Sequence, residues 1–302
     1  MIAFGCAISE PEAYRLYAEP GIRRAKEPDS EVYAFSAVGT IFRSYNLLLD
    51  TAAHLDDLEA LVLVHPHAEI TDPAFCAKVR EALSDPDVAV VGAAGAREVR
   101  SIAWWEGEVV ASDILHRYND HGGGELRALS WAGEALPPPA EVEVVDGFLM
   151  VLSPWAVRNV RFDEALGLGH GYDVDYCLQA RAAGRKVMVA DLGLTHHRSL
   201  ELIADLDLWV ESHIRVAEKW EEQLYGPVSR NGTSWEQRGR QAEAEREAER
   251  AIAYGHALHR DARVLLLQRA LNAVTGTRSW WLTEPLRRLN KARADRREAA
   301  SR

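Results

Sequence analysis

Residues 1–95 alternate between short, continuous apolar runs and segments with helical spacing, and this alternation restricts the chain to few folds. Each run lacks the polar positions of a half-exposed strand, so each is predicted to be a strand buried on both faces. The four runs are Met1–Ser9, Glu31–Val38, Leu58–Val64 and Val88–Gly92. Strands that alternate with helices predict an α/β domain with a mostly parallel sheet and helices on both faces. Such sheets bind ligands beyond the carboxyl ends of their strands.

Capping and breaking residues predict where helices and domains end. Ser44 is predicted to cap a helix over Tyr45–His54, after a turn. A stretch of helix-breaking residues, Gly226–Ser234, separates the α/β pattern from Glu-, Arg- and Ala-rich helical sequence. We therefore expect one α/β domain over residues 1–225 and a helical extension over residues 226–302.

The composition excludes several classes of protein. The chain has 302 residues, 47% of them hydrophobic, which is enough for a sizeable core and excludes global disorder. A net charge of -11 is unsuited to sequence-independent nucleic-acid binding but allows a local site for a phosphate-bearing small molecule. The three cysteines are far apart in apolar patterns, which predicts buried free thiols: Cys6, Cys76 and Cys177. With neither a signal-peptide pattern nor an apolar run of about 20 residues, the protein is expected to be cytoplasmic or peripheral to a membrane.

A histidine pair follows the third predicted strand in the segment HPHAEI. His65 and His67 are two residues apart on extended backbone, so they point to the same side, together with Glu69. Imidazoles placed in this way could bind a divalent metal such as Mn. The alternative is one functional histidine and one packing or capping histidine.

Two aspartates, Asp173 and Asp175, precede a helix predicted over Tyr176–Ala183. The helix dipole favours acids at this end, and an acid that faces a cleft can act as a general base toward a hydroxyl. The alternative for Asp175 is a simple helix cap.

Three further motifs carry candidate site residues. His196 and His197 are adjacent on a predicted strand, so at most one should serve a given site. Asp146 ends an apolar run, where it could bind sugar hydroxyls or only shape a turn. Trp105 belongs to an aromatic, loop-rich region and either lines a cleft or packs in the core.

Taken in their order along the chain, these motifs resemble those of the inverting family 2 glycosyltransferases with the GT-A fold. The resemblance is greatest to the glycosyltransferase-like, StrF-type subgroup. The resemblance spans residues 1–220. A second resemblance, of SWWLTEPLR to the tail of bacterial cell-surface-polysaccharide glycosyltransferases, supports it. The motifs are Tyr45-Asn46, His65-Pro66-His67, Val145-Asp146-Gly147-Phe148, His170-Gly171-Tyr172-Asp173-Val174-Asp175, Gly184 and His196-His197.

The resemblance implies an enzyme that moves a sugar from a nucleotide donor to a hydroxyl with inversion, aided by a divalent cation (Mn or Mg). The implied catalytic base is Asp173. The implied metal residues are His67, His196 and His197. The implied donor and nucleotide contacts are Ser9, Glu10, Ser36, Asn46 and His65, and the implied acceptor or sugar contacts are Asp146, Trp105, His170 and Asp175.

One departure from the family pattern affects the cation. His67 stands where the family has its metal aspartate, so a hard oxygen ligand is replaced by an imidazole. Three outcomes remain open: a softer cation such as Mn, imidazole contacts to the diphosphate without metal, or impaired catalysis. A non-catalytic scaffold that binds a nucleotide or glycan is therefore the competing hypothesis. A dehydrogenase is disfavoured, because no G-x-G-x-x-G follows the first strand.

The expected partners are a UDP-, GDP- or dTDP-linked sugar and a hydroxyl acceptor, with a lipid-linked glycan as one candidate, in surface-glycan or secondary-metabolite synthesis. The tail, with Trp280-Trp281-Leu282 followed by basic residues, could lie on the inner face of an anionic membrane. It could equally dock on its own domain or on a second subunit. No nucleic-acid partner is expected.

Overall fold

The computed structural model describes residues 1–111, 115–118, 124–127, 129–130, 133–134, 136–167, 169–198, 205–225, 263–277, 280 and 282–283. Its strands are β1 Ile2–Ile8, β2 Val32–Ser36, β3 Ala60–Val64, β4 Ala68–Ile70, β5 Val88–Gly92, β6 Ala94–Arg97, β7 Glu108–Ala111, β8 Leu115–Tyr118, β9 Gly124–Arg127, β10 Leu129–Ser130, β11 Gly133–Glu134, β12 Ala140–Val142, β13 Val144–Val145, β14 Leu149–Leu152, β15 Lys186–Val189 and β16 Leu194–Arg198.

The helices alternate with these strands, mainly in the first half of the chain. A π-helical turn, Tyr14–Ala18, joins the first two helices, and short 3-10 turns cover Trp104–Glu106 and Glu164–Leu166. The α-helices are α1 Pro11–Ala13, α2 Glu19–Ala25, α3 Ile41–Ala53, α4 Phe75–Ala82, α5 Pro154–Asn159, α6 Tyr172–Ala182, α7 Leu206–Lys219, α8 Glu221–Tyr225 and α9 over residues 263–275.

The largest sheet has seven strands in the order β12-β15-β5-β14-β3-β1-β2. Neighbouring strands are parallel except at β14, which runs antiparallel to β3 and β5, and at β12, which runs antiparallel to β15. Every residue of β3 and β5 is buried, as their apolar runs predict, and so is every residue of β14. The prediction of a strand buried on both faces is wrong for β2, which lies at the edge of the sheet and has no fully buried residue. The predicted α/β architecture with a mostly parallel sheet is confirmed.

Helices cover both faces of this sheet, and two neighbouring residues of β1 demonstrate it. Phe4 packs on Phe75 of α4, with ring centroids 6.1 Å apart. A Cβ on Gly5 would lie 3.1 Å from Leu48 of α3. Because successive side chains of a strand point to opposite faces, α3 and α4 lie on opposite sides of the sheet.

Two predicted helix boundaries are wrong. α3 begins at Ile41, and its N-cap is Thr40, whose hydroxyl accepts the Arg43 N–H at 3.2 Å. Ser44 therefore lies inside the helix, where its hydroxyl accepts the N–H of Val38 at 2.9 Å. α6 begins at Tyr172, four residues before the predicted start. Side-chain hydroxyls that bond to nearby backbone make alternative caps hard to separate by sequence.

A smaller sheet, in the order β4-β16-β8-β9, lies beyond the carboxyl end of β3. β4 follows β3 after a three-residue turn that contains His65 and His67, and pairs antiparallel with β16. This pairing brings residues that are about 130 positions apart in the chain into contact. The sheet therefore brings two predicted histidine motifs together.

The remaining features concern the termini and the cysteines. All three cysteines are free and buried, as predicted. Leu267, Leu271 and Val274 of α9 are exposed. Residues 226–262 lie outside the described residues, so the domain boundary near residue 225 and most of the helical extension remain predictions. None of the helices that the structure describes has the length and apolar character needed to cross a bilayer.

Candidate active site

The polar residues of the candidate site follow strand ends that meet at one edge of the large sheet. β14 is antiparallel to β3, so its first residue, Leu149, pairs with the last residue of β3, Val64. Beyond that pair, the His65 N–H donates to the Phe148 carbonyl at 3.0 Å. Ser9, Glu10 and Ser36 follow or end the neighbouring strands β1 and β2 at the same edge, and all three are exposed.

His67 is held between a backbone carbonyl and a carboxylate. Its Nδ1 lies 2.8 Å from the His197 carbonyl oxygen, and its Nε2 lies 3.0 Å from Glu10 Oε1. A carbonyl and a carboxylate both only accept hydrogen bonds, so a neutral His67 ring can donate to one of them at a time, and with Nδ1–H on the carbonyl its Nε2 faces Glu10. The His65 and His67 rings are 5.5 Å apart, but residues 65–67 form a turn rather than the extended backbone from which their common side was predicted. Burial and the neighbouring His67 lower the pKa of His65 to about 4, so it is neutral at pH 7.

The adjacent histidines point to opposite faces, as predicted. His197 is 2% exposed, its Nε2 lies 2.8 Å from Glu69 Oε2, and its ring stacks on Tyr17 at 3.8 Å. His196 stacks instead on Phe148, with ring centroids 4.7 Å apart. Of these two residues, His197 contacts the His67 ring, through its main-chain carbonyl.

Asp173 lies in the first turn of α6 and is oriented by main-chain groups. Its Oδ2 accepts the Gly147 N–H and its Oδ1 accepts the Val174 N–H, both at 2.9 Å. Burial and the charge of Asp146 raise the pKa of Asp173 to about 7, against the hydrogen bonds that lower it. A carboxyl with this pKa suits a general base at neutral pH.

Asp146 and Gly147 form the turn that meets Asp173. Asp146 Oδ1 accepts the Phe148 N–H at 3.1 Å, so its side chain shapes the turn, which was one of the two alternatives for this residue. A Cβ on Gly147 would overlap the hydroxyl of Tyr172. The Asp-Gly pair therefore lets α6 approach β14 closely enough for the Asp173 carboxylate to reach the main chain.

Two predicted contact residues have their polar groups occupied within the protein. Asp175 is 0% exposed and bonds to Lys219 Nζ at 2.7 Å and to Trp220 Nε1 at 2.8 Å. Asn46 donates to the Phe162 carbonyl at 2.8 Å and accepts the Phe162 N–H at 3.0 Å. These contacts give both residues structural roles: Asp175 attaches α7 to α6, and Asn46 attaches α3 to the loop after α5.

Trp105 and His170 both contact Trp209, a residue that the sequence motifs did not indicate. The Trp209 ring lies 5.6 Å from Trp105 and 5.3 Å from His170, which it meets edge to face. Burial lowers the pKa of His170, which favours its neutral form. His170 lies three residues before Asp173 in the chain, and its neighbours Gly169 and Gly171 pack against Leu208 and Val216 of α7, so the cluster lies beside the start of α6.

Sequence reasoning also missed Tyr17 and Arg24, which surround Glu69 and His197. The available signal was Gly21 within an otherwise ordinary helix. A Cβ at Gly21 would lie 2.5 Å from the Ile70 nitrogen, so only glycine lets α2 pack directly against the backbone of β4. This close packing brings Tyr17 against His197 and Arg24 against Glu69.

Comparisons with known proteins identify the family of the chain. A family model described as "Glycosyltransferase like family" matches residues 21–221. The streptomycin biosynthesis protein StrF of Streptomyces griseus is 28% identical over 247 residues, which is 78% of this chain and 80% of StrF.

Solved structures give weaker likenesses. GalNAc-T7, solved with UDP, GalNAc and Mn²⁺, is 10% identical with a TM-score of 0.48, covering 86% of this chain and 57% of that one. The mannosyltransferase PcManGT of Pyrobaculum calidifontis, solved with GDP-Man and Mn²⁺, is 11% identical with a TM-score of 0.46, covering 93% and 81%. Likenesses at this level say nothing about the chemistry of this chain. The family model, in contrast, matches about two thirds of the sequence, and the chain therefore belongs to the glycosyltransferase-like family.

Proposed function

We propose that this glycosyltransferase is an inverting enzyme that takes a sugar from a nucleotide-sugar donor and attaches it to a hydroxyl acceptor. The geometry of Asp173 is the observation that carries the proposal. Its carboxylate is half-buried, oriented by two main-chain N–H groups and raised in pKa to about 7. Near neutral pH about half of such groups are ionised and ready to accept a proton.

The proposed reaction is a single displacement. Asp173 takes the proton of the acceptor hydroxyl, and the oxygen attacks the anomeric carbon from the face opposite the nucleotide. The bond from the anomeric carbon to the diphosphate oxygen breaks, and the nucleoside diphosphate leaves with that electron pair. Attack from the opposite face inverts the configuration of the sugar. The two hydrogen bonds to Asp173 fix its direction without occupying all of its acceptor positions.

The diphosphate end of the site is assigned to Glu10 and His67. A backbone carbonyl holds Nδ1–H of His67 and leaves Nε2 toward Glu10, which is the usual arrangement of a metal-binding imidazole. This donor set fits a cation such as Mn²⁺ better than Mg²⁺. Such a cation, when bound, would neutralise charge on the departing diphosphate. Within the described ranges no three acid, histidine or cysteine side chains cluster for a metal, so Glu10 and His67 would hold it only in part.

The remaining assignments follow the same division of the site. Ser9, Ser36 and His65, at the edge that includes Glu10, are proposed to face the nucleotide of a UDP-, GDP- or dTDP-linked sugar. Trp105 and His170 are proposed to face the acceptor, for which a lipid-linked glycan at the inner membrane face is one candidate. The proposed setting is cytoplasmic synthesis of a surface glycan or a secondary metabolite.

Replacing the base tests the proposal. We expect Asp173→Asn to lower sugar transfer by about 10²–10⁴-fold while nucleotide binding persists, because only proton acceptance is lost. Asp191→Asn is the control, since Asp191 is exposed and pairs with Lys78 on the surface. Full transfer by Asp173→Asn with a confirmed donor would contradict the assignment of the base.

A non-catalytic scaffold is the second candidate, because His67 stands where the family has an aspartate. Calorimetry with UDP, GDP and dTDP, with and without Mn²⁺, separates the two candidates. Metal-dependent binding of a nucleoside diphosphate together with turnover of its sugar derivative supports the enzyme. Binding without turnover of any matching donor supports the scaffold.

A further inference from the structure

α9 carries an apolar stripe that faces solvent. Four apolar residues recur at spacings of three and four positions, which places them on one face of the helix: Val264, Leu267, Leu271 and Val274. Leu282, Leu267 and Leu271 are the three most exposed leucines of the described residues, at 81%, 63% and 57%. Arg269 and Asn272 lie on the other side of the helix. The helix is therefore amphipathic, and an exposed apolar stripe of this kind marks a docking surface.

The tail that contains α9 has the opposite charge to the rest of the chain. Residues 263–302 include ten basic and three acidic residues, although the whole chain has 35 basic and 46 acidic ones. Six of the basic residues lie between positions 287 and 297, with a single acid among them. An apolar helix face beside a polybasic run suits a surface that is apolar within and anionic outside. The acidic remainder of the chain is repelled by such a surface, so the attraction resides in the tail.

A second copy of the same tail is a poorer occupant of the stripe. A stable helix pair keeps its apolar seam over three or four heptads. At the same spacing the sequence has Arg260 before the stripe and Arg278 after it, so the seam covers only residues 264–274, about 15 Å of helix. Two copies of a basic tail also repel each other. Length and charge therefore both oppose the pairing of α9 with itself.

The acidic domain of a second copy offers a groove of about 560 Å³ beside α4 and β15. Two carboxylates of this groove already pair with lysines that line it. Asp191 lies 3.1 Å from Lys78 Nζ, and Asp85 lies 2.7 Å from Lys186 Nζ. Because these charges are paired, the groove attracts a basic helix less than an unpaired anionic surface does. Charge complementarity therefore favours a lipid surface over this groove.

We propose that α9 and the basic run after it dock on the surface of an anionic lipid bilayer. The apolar stripe enters the boundary between headgroups and acyl chains, and the basic residues face the lipid phosphates. The intervening Trp280-Trp281-Leu282 supplies the aromatic and apolar residue types that are enriched at this boundary. Docking needs neither a nucleotide nor a sugar, so the inference goes beyond the proposed reaction and does not depend on it.

Co-sedimentation of the full chain with lipid vesicles measures this docking. The probes are vesicles of phosphatidylcholine alone and vesicles of equal parts phosphatidylcholine and phosphatidylglycerol. We expect the wild type to bind the anionic vesicles at least about tenfold more tightly than the neutral ones. High salt should remove most of this preference, because it screens exposed charges.

One pair of variants tests the apolar stripe. Leu267→Ser combined with Leu271→Ser interrupts the stripe, so we expect binding to anionic vesicles to fall at least about tenfold. Leu16→Ser combined with Leu47→Ser is the matched control, because these leucines are exposed on the α/β domain. We expect the control to bind as the wild type does.

A second pair tests the charge. Arg287→Gln combined with Arg288→Gln removes two charges from the basic run, and we expect anionic-vesicle affinity to fall about fivefold for each charge. Arg23→Gln combined with Arg43→Gln is the control, because both arginines are exposed on the domain. If the serine variant of α9 does not fold, the arginine variant decides the question alone.

Equal binding of the wild type to neutral and anionic vesicles overturns the proposal, as does unchanged binding of the folded serine variant of α9. Light scattering without vesicles tests for a second copy. A dimer that Leu267→Ser with Leu271→Ser converts to a monomer also overturns the proposal, because a second copy then covers the stripe. Sugar transfer to a soluble acceptor without vesicles tests the proposed function separately, so the two failures are distinguishable.

Discussion

The two ends of the candidate site are built in different ways. At the base end, main-chain N–H groups of Gly147 and Val174 hold Asp173 directly. At the diphosphate end, His67 is held by one main-chain group, the His197 carbonyl, and by the exposed side chain of Glu10. Main-chain donors on a strand end and a helix have little freedom to move, whereas an exposed side chain samples several rotamers. We therefore expect the base end to tolerate substitution of its neighbours less than the diphosphate end does.

The largest expected effect concerns the attachment of α6, the helix that carries the proposed base Asp173, to α7. Lys219→Met leaves the fully buried Asp175 without its cation, and breaking a buried pair costs about 3–5 kcal/mol. We expect the free energy of unfolding, measured in urea, to fall by this amount. Lys186→Met is the control, because the Lys186–Asp85 pair is exposed to solvent and should contribute little to stability. Equal losses in the two variants would contradict the structural role of Asp175.

The next effect tests whether the main chain holds the base. Gly147→Ala would force Tyr172 and α6 away from the turn, at a cost of about 1–3 kcal/mol in stability. We expect sugar transfer to fall at least tenfold while nucleotide affinity stays unchanged. Gly169→Ala is the control, because its Cβ would meet only a flexible side-chain atom of Leu208 at 3.3 Å. A loss of nucleotide affinity in Gly147→Ala would show that the two ends are not independent.

The adjacent histidines test the diphosphate end. His197→Phe keeps a ring against Tyr17 but removes the bond to Glu69 beside His67, so we expect nucleotide affinity to fall. His196→Phe keeps the stack on Phe148 and should change affinity much less. Calorimetry with the preferred nucleotide compares the two variants. The reverse order of effects would make His196 the functional histidine.

The smallest expected effect is a shift in the pH profile. The base must be ionised, so transfer should rise with pH through about 7 and then level off. Asp146→Asn removes a like charge that raises the pKa of Asp173, so its profile should shift to lower pH. The pH dependence of kcat/KM, measured for both proteins, checks the sign. A profile that does not move would mean that burial alone sets this pKa.

A large part of the fold and a smaller part of the site could be predicted from the sequence. Three of the four apolar runs became buried strands, because burial on both faces requires apolar side chains at every position, whereas β2 lies at the edge of the sheet and is partly exposed. Adjacency on a strand placed His196 and His197 on opposite faces, whereas a turn, and not the predicted extended backbone, brings the His65 and His67 rings together. These features depend on backbone geometry, which is local.

Only the tertiary structure decided which polar residues are occupied by structural contacts. Asp175 and Asn46 fit the motifs as well as Asp173 did, but packing pairs them with Lys219 and with the Phe162 main chain. Glu69 gained its contact with His197 from a strand pairing that spans 128 positions. A buried polar group must find a partner wherever packing supplies one, and the identity of that partner is fixed by the fold rather than by local spacing.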